Sequence, residues 1–118
     1  IFSVDAKGTG AGGAFTTVGD IRRFWEHLIG GKLLKEETVR SMLDIHSGDG
    51  TSDEEGWYGY GVWIIKDGER TIPYFQGCDP GVSFTSAYCR ENDTLSVAVS
   101  NYGDNVWQVM RRIRAAYF

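Results

Sequence analysis

The residues best suited to take part in a reaction lie in one Gly-containing stretch, 75–81, which reads Phe-Gln-Gly-Cys-Asp-Pro-Gly. Cys78 is a candidate nucleophile, but no histidine lies near it in sequence to act as its base. We therefore expect Cys78 to fill a small position in a turn. The backbone N–H groups around Gly77 and Cys78 are a second candidate, because backbone donors stabilise an oxyanion without any particular side chain.

Three other polar features are candidates for binding an ion or a phosphate. His27 and His46 are far apart, and neither has a cysteine or a second histidine at ligand spacing, so no metal site is expected. The acidic loop 47–56 has carboxylates that suit Ca²⁺ but lacks EF-hand spacing, which favours a solvated loop. The stretch Gly8–Gly13 lacks the Lys-Ser/Thr pair of a phosphate loop and predicts closely packed backbone. The sequence therefore indicates no cofactor.

Composition indicates a single globular domain over residues 1–118, with 42% hydrophobic, 24% charged and 14% aromatic residues. The net charge of −4 argues against a general nucleic-acid binder, and the basic cluster at 111–114 fits a helix end better than a phosphate site. The longest apolar run is Val62–Ile65, so no membrane-spanning segment is expected. The first residues lack signal-peptide regions, and the chain does not begin with Met, which suggests a processed product or an excised piece.

Residues 1–46 predict a helical part that precedes the strands. Thr17-Val18-Gly19-Asp20 has the form of a capping box, with Asp in the usual Glu position. The helix that it opens ends at Gly30-Gly31, and a second, short helix begins at Lys35-Glu36. Apolar residues recur at helical spacing in both segments: Ile21, Phe24, Trp25 and Leu28 in the first, and Val39, Met42 and Leu43 in the second.

Residues 57–101 predict an antiparallel meander of about four strands. Strand 58–66 is followed by the turn signal Asp67-Gly68 and by a return strand, 70–76, in which Pro73 suits an edge or a strand end. A turn over 77–81 leads to strand 82–90, and 95–100 alternates as a half-buried strand. Cys78 and Cys89 would then lie at opposite ends of one strand, too far apart for a disulfide, so two free thiols are expected.

Residues 104–118 predict a C-terminal helix, with an apolar stripe made of Val106, Val109, Met110, Ile113, Ala116 and Tyr117. Helices, then a meander, then a helix is an α+β order. The dense aromatic residues fit cross-strand packing better than a sugar or peptide groove; they are Trp57, Tyr58, Tyr60, Trp63, Tyr74 and Phe75. Trp57 and Phe75 are the expected exceptions to core packing.

Five segments, in order along nearly the whole chain, carry short motifs: 12–21, 30–34 with Glu37-Thr38, 58–63, 77–82 and 93–101. Together they resemble the C-terminal third of the serine β-lactamase and penicillin-binding-protein superfamily. The similarity is greatest to its class C β-lactamase, DD-peptidase and esterase branch. Each motif is weak alone, but five in order are hard to obtain by chance. The resemblance implies a partial β-lactamase/transpeptidase-like fold, with the helices packed on the sheet.

That family uses three catalytic elements. Ser-x-x-Lys supplies the nucleophile and Tyr/Ser-x-Asn positions protons; neither occurs in this chain, and in the family both lie upstream of the matching segment. No catalytic residue is therefore assigned. The third element, Lys/His-Thr/Ser-Gly on an edge strand, holds the substrate carboxylate and falls at Phe75-Gln76-Gly77. Phe75 cannot attract a carboxylate, whereas Gln76 can still donate a hydrogen bond. The candidate substrate-binding residues are thus Phe75, Gln76, Gly77 and Cys78.

Three interpretations remain open. In the first, the chain is the C-terminal lobe of a β-lactamase-like serine hydrolase, is inactive alone, and has the N-terminal lobe of the same parent protein as its partner. Alternatively, it is a non-catalytic binding or assembly module derived from that fold, or an unrelated α+β domain. The last strand would lack its family neighbours, so self-association is expected through residues 95–100 or the terminal helix. The resemblance also implies a bacterial, often exported, protein.

Overall fold

A computed structural model describes residues 7–48, 56–103 and 106–118, and within them the chain forms three helices and one antiparallel sheet. The expected α+β class is confirmed. The sheet has six strands in sequence order, two more than expected. The acidic residues 49–55 and the first residues, 1–6, lie outside the described parts. The elements are α1 (Val18–Ile29), α2 (Glu36–Leu43), β1 (Ser47–Gly48), β2 (Trp57–Tyr58), β3 (Trp63–Asp67), β4 (Arg70–Asp79), β5 (Val82–Cys89), β6 (Thr94–Ser100) and α3 (Val106–Tyr117).

Helix α1 begins with the expected capping arrangement. The Thr17 side chain accepts a hydrogen bond from the Asp20 backbone N–H at 3.1 Å, and its hydroxyl donates to the Asp20 carboxylate at 2.8 Å. The hydrogen bond from Thr17 is the largest of the effects that lower the pKa of Asp20. Trp25 and Leu28 are buried and pack with Val39 of α2, which confirms the apolar faces of both helices. This cluster lies against one face of the sheet.

The first expected strand, 58–66, is interrupted. Residues 57–58 form β2 and pair with β3, which begins only at Trp63. The chain turns between them, and a Cβ on Gly59 would lie 2.3 Å from the Met42 carbonyl oxygen. Only glycine fits so close to the backbone of the last turn of α2. The extra turn, together with the two-residue strand β1, accounts for the larger number of strands.

Strand β4 lies between two tight hairpin turns. The first loop is Gly68-Glu69, one residue later than expected, with Gly68 at a φ of +60° that suits such turns. Pro73 pairs only with β3, because the ladder between β4 and β5 begins at Tyr74. Its missing N–H therefore breaks no bond to β5. The second turn is confined to residues 80–81, so β4 extends three residues beyond the expected end at Gln76.

The two cysteines lie on different strands, which corrects the expectation that one strand separates them. Cys78 is on β4 near the hairpin turn and opposite Ser83, whereas Cys89 ends β5 opposite Thr94. Both are free thiols, as expected; Cys78 is exposed and Cys89 is buried.

Helix α3 packs on the other face of the sheet, where Met110 joins Ile65, Ile72 and Ala87 in a second core. The expected stripe is wrong in part. Val109 and Tyr117 are 48% and 68% exposed, and Ala116 is also exposed. The helix instead turns residues 106, 107, 110 and 114 toward the sheet, a register that repeats every three to four residues. Among the helices described here, none is long and apolar enough to span a bilayer.

Candidate functional site

The second half of β4 has an open edge. Pairing between β3 and β4 ends at Trp63 and Tyr74, whereas pairing between β4 and β5 continues to Asp79. Residues 75–79 therefore have a strand neighbour on one side only, within the part of the chain that the structure describes. An unpaired strand edge presents backbone donors and acceptors that an extended ligand can bind.

The register indicates which backbone groups face this open edge. Two-residue turns close on hydrogen-bonded pairs, here Asp67 with Arg70 and Asp79 with Val82. Hydrogen-bonding direction alternates along an antiparallel strand. The N–H and C=O groups of Phe75 and Gly77 therefore point toward β5, and those of Gln76 and Cys78 point away from it. Cys78 thus offers its N–H to the open edge, next to the Gly77 position expected from the sequence.

The Phe75 side chain lies on the sheet face that α1 covers. Its ring centroid is 5.0 Å from that of Trp25 and 5.7 Å from that of Phe24. Trp25 is 1% exposed, and its indole N–H donates to the Ser86 hydroxyl at 3.0 Å. The expectation that Phe75 is an exception to core packing is wrong, because strand alternation turns the ring onto the α1 cluster. Phe75 remains half-buried at the open edge.

Gly77 follows Phe75 on the same face, two residues along the strand. A Cβ at Gly77 would meet no atom within 4 Å, so the α1 side of this residue is open space. Its partner on β5 is Phe84, which is also half-buried. The open edge thus offers exposed backbone bordered by the rings of Phe75 and Phe84.

Gln76 lies on the opposite face and contacts α3. The Trp107 indole N–H donates to the Gln76 side-chain oxygen at 2.8 Å. Because an indole is a donor only, this bond fixes which end of the amide faces the helix and leaves the NH₂ group to donate elsewhere. Trp107 was missed by sequence reasoning, and its only signal was an aromatic residue at helical spacing from Met110. A cavity of about 60 Å³ lies beside this contact, and Tyr74, Thr85 and Arg111 are among its lining residues.

Of the other aromatic residues in that set, Tyr58, Trp63 and Tyr74 pack across strands as expected, whereas Tyr60 is 61% exposed and stacks on His46. Tyr58 contacts Trp63 with a centroid distance of 4.8 Å, and Trp63 stacks on Tyr74 at 6.4 Å. The Lys66 ammonium lies 4.7 Å from the centroid of the Trp57 ring. Trp57 is on β2, which β3 separates from β4. The structure therefore places Phe75, but not Trp57, on the strand with the open edge.

Comparison with solved structures identifies the architecture. A penicillin-binding protein from Bacillus halodurans superposes on 93% of this chain with a TM-score of 0.85 and 32% sequence identity. The chain belongs to the serine β-lactamase and penicillin-binding-protein superfamily. The superposition agrees with the resemblance of this chain to the C-terminal segment of that fold. No protein-family model matches the chain, and neither does any curated protein sequence.

A D-amino acid amidase from Ochrobactrum anthropi, in complex with D-phenylalanine, has the same fold over 82% of this chain. Its TM-score is 0.63 and its sequence identity is 21%, so this similarity concerns the fold. The chain spans about a third of the length of both solved proteins, 33% and 34% respectively.

Proposed function

We propose that this chain is the C-terminal lobe of a β-lactamase-like serine hydrolase, and that residues 1–118 form a single unit of it. The observation that carries the proposal is the open edge of β4 at residues 75–79, which falls where the family holds its substrate. The reaction is acyl transfer to water from a β-lactam, a peptide or amide, or an ester. In this site the Cys78 N–H stabilises the oxyanion, because the register directs it to the open edge.

The other candidate residues bind the substrate beside that donor. Gly77 leaves the edge accessible to a reacting carbonyl, since no atom lies within 4 Å of the position that a Cβ would take there. Gln76 uses the NH₂ group that Trp107 leaves unoccupied to hydrogen-bond an acceptor on the substrate. Phe75 supplies an apolar contact on the α1 side.

The lobe does not hydrolyse substrate alone, because its sequence holds neither Ser-x-x-Lys nor Tyr/Ser-x-Asn. A hydroxyl needs an adjacent base to become a nucleophile near neutral pH. The partner is the N-terminal lobe of the same parent protein, which supplies both elements. Strand β6 lies at the end of the sheet, with β5 as its neighbour, and Val82 and Val99 are exposed nearby. These features suit a surface that another part of the same fold covers.

In the absence of that partner, we propose self-association through the outer edge of β6 or the exposed side of α3. Val99 on β6 and Val109 on α3 are each about half exposed, at 49% and 48%. An apolar strand edge with unpaired backbone groups is a template for a second copy.

One observation favours a second candidate, a non-catalytic binding or assembly module. Phe75 replaces the family's cation and is packed against Trp25, and Gln76 replaces the family's hydroxyl residue and is bound to Trp107. Both side chains take part in the packing of the lobe. A site released from catalysis tolerates such replacements.

The decisive experiment compares this chain with the native protein from its source. The intact mass of the native protein is measured against the 13.1 kDa of these residues. Hydrolysis of p-nitrophenyl butyrate and covalent labelling by a fluorophosphonate are then measured for both. We expect a larger native protein that hydrolyses the ester and is labelled on a serine upstream, and an inert isolated chain. A native mass near that of this chain, or an unlabelled and inactive larger protein, supports the binding module instead.

A further inference from the structure

The open edge of β4 is bordered by a three-ring aromatic cluster, formed by Phe24, Trp25 and Phe75. Trp25 is fully buried, and it holds both phenyl rings in edge or tilted contacts with centroid distances of 5.0 to 6.3 Å. Phe24 is 39% exposed, and Phe75 is half-buried. The cluster therefore has a rigid base and an accessible rim. Such a rim binds an apolar group and offers no donor to an anion.

A ligand at Gly77 would contact this rim. Residues two apart on a strand are about 6.6 Å apart on the same face, which a phenyl ring reaches easily. The space over Gly77 is open to at least 4 Å. When the reacting carbonyl of a ligand accepts a hydrogen bond from the Cys78 N–H, the group next to that carbonyl thus lies against the Phe75 ring.

The cations on the flanking elements are engaged elsewhere. On α1, Arg22 pairs with Glu26 at 2.7 Å and Arg23 pairs with Asp20 at 2.8 Å. On β3, the Lys66 ammonium lies over the Trp57 ring. A carboxylate at Phe75 would lose water without gaining a cation from these elements, and such desolvation is costly.

From this geometry we infer that Phe75 is a specificity-determining residue, which selects substrates with an uncharged apolar group, not a carboxylate, beside the reacting carbonyl. The inference rests on the proposed substrate-binding role of residues 75–78. The inference limits the proposed substrates to esters and amides in which the group next to the reacting carbonyl is uncharged.

The test measures binding, so that it does not depend on turnover. The native full-length protein is titrated with N-acetyl-alanyl-phenylalanine and with the same peptide as its terminal methylamide, each as the all-L and the all-D form. Calorimetry gives the dissociation constants, and hydrolysis of p-nitrophenyl butyrate is followed in parallel. We expect the methylamide of one stereochemical series to bind at least about tenfold more tightly than its carboxylate.

Three variants assign the preference to Phe75. Phe75→Lys should reverse it toward the carboxylate, whereas Phe75→Leu, which keeps an apolar side chain, should retain it. Gln108→Lys adds the same charge at an exposed position of α3 and should leave the preference unchanged. Circular dichroism confirms that each variant is folded. If Phe75→Lys does not fold, retention by Phe75→Leu together with loss in Phe75→Ser decides the matter.

The outcomes separate this inference from the proposed function. Equal binding of the two peptides, tighter binding of the carboxylate, or binding of neither overturns the inference, even in a protein that hydrolyses the ester. A clear methylamide preference in a protein that hydrolyses nothing supports the inference and contradicts the hydrolase proposal.

Discussion

Phe75 and Trp25 are in ring contact at 5.0 Å, although they lie on different elements and 50 residues apart in sequence. This contact joins the candidate site to the core between α1 and the sheet. Trp25 is in turn held by Ser86, two residues before Tyr88, which also stacks on the indole at 5.9 Å. The position of the Phe75 ring therefore depends on the packing of α1.

Trp25→Phe should destabilise the fold, because Ser86 is fully buried and loses its indole partner. A buried hydroxyl without a partner costs about 1–3 kcal/mol. Urea unfolding followed by far-UV circular dichroism measures the loss. The double variant Trp25→Phe/Ser86→Ala should regain part of it, since no polar group is then left unpaired. Equal stability of the single and double variants would contradict this role of the hydrogen bond.

Trp107→Phe should loosen the Gln76 amide. The bond joins two exposed or half-buried side chains, so its net contribution is modest, about 0.5–1.5 kcal/mol. A double-mutant cycle with Gln76→Ala on the same chain gives the coupling energy. Coupling near zero would mean that the amide is not held by α3. A matched cycle between Trp107→Phe and Gln108→Ala, at the exposed next residue, should show no coupling, because side chains at i and i+1 on a helix do not face each other.

Local sequence signals predicted the parts of the fold that short segments determine. The Thr17 cap, the hairpin near Gly68 and the buried face with Val39 depend on residues a few positions apart. The break in the first strand could not be read in this way, because it arises where Gly59 meets the Met42 carbonyl. Tertiary contact decides such a position.

Sequence reasoning named the residues of the candidate site, whose substrate-binding role stays a proposal, but not the contacts that these residues make. The Gly77-Cys78 stretch carried a turn and family signal, and the structure places it at the end of β4. Phe75 contacts Trp25, which lies 50 positions away in sequence, and Gln76 is hydrogen-bonded to Trp107, which lies 31 positions away. No spacing rule links such pairs, and the helical stripe assigned to α3 was rotated away from Trp107. Packing against Ile65 and Ala87 sets the observed rotation.

Tyr88 should make the fold sensitive to alkaline pH. Burial, followed by the hydrogen bond and charge of Asp93, raises the pKa of Tyr88 above its ordinary value of 10.0. The unfolded chain therefore loses this proton first, so the stabilisation is present below about pH 10 and is lost as pH rises through the folded-state pKa. Tyr88→Phe should be less stable than the native chain at about pH 8, and the difference should shrink by about pH 11. Urea unfolding at both pH values measures it, and the subtraction cancels groups common to both chains. A constant difference would contradict the pKa shift.

Val99→Pro should block self-association of the 118-residue chain without disturbing the pairing of β5 with β6. Asp79 and Val82 form a hydrogen-bonded pair, and the direction of hydrogen bonding alternates along β5, so the backbone groups of Phe84 point to β4. Val99 is the partner of Phe84 on β6, and its N–H therefore points away from β5, to the outer edge of β6. Proline removes that donor and is tolerated on an edge strand. Sedimentation should show that the native chain associates as concentration rises and that the variant stays monomeric.

Ala98→Pro is the matched control for this edge. Its N–H points inward to β5, opposite Thr85, so proline there should destabilise the fold itself. Val109→Lys separates the β6 edge from α3, because it places a charge on the exposed side of the helix and leaves the strand unchanged. If Val109→Lys abolishes association and Val99→Pro does not, the interface lies on α3. If the native chain stays monomeric at high concentration, self-association through either surface is excluded, because neither the strand edge nor the apolar helix face then binds a second copy.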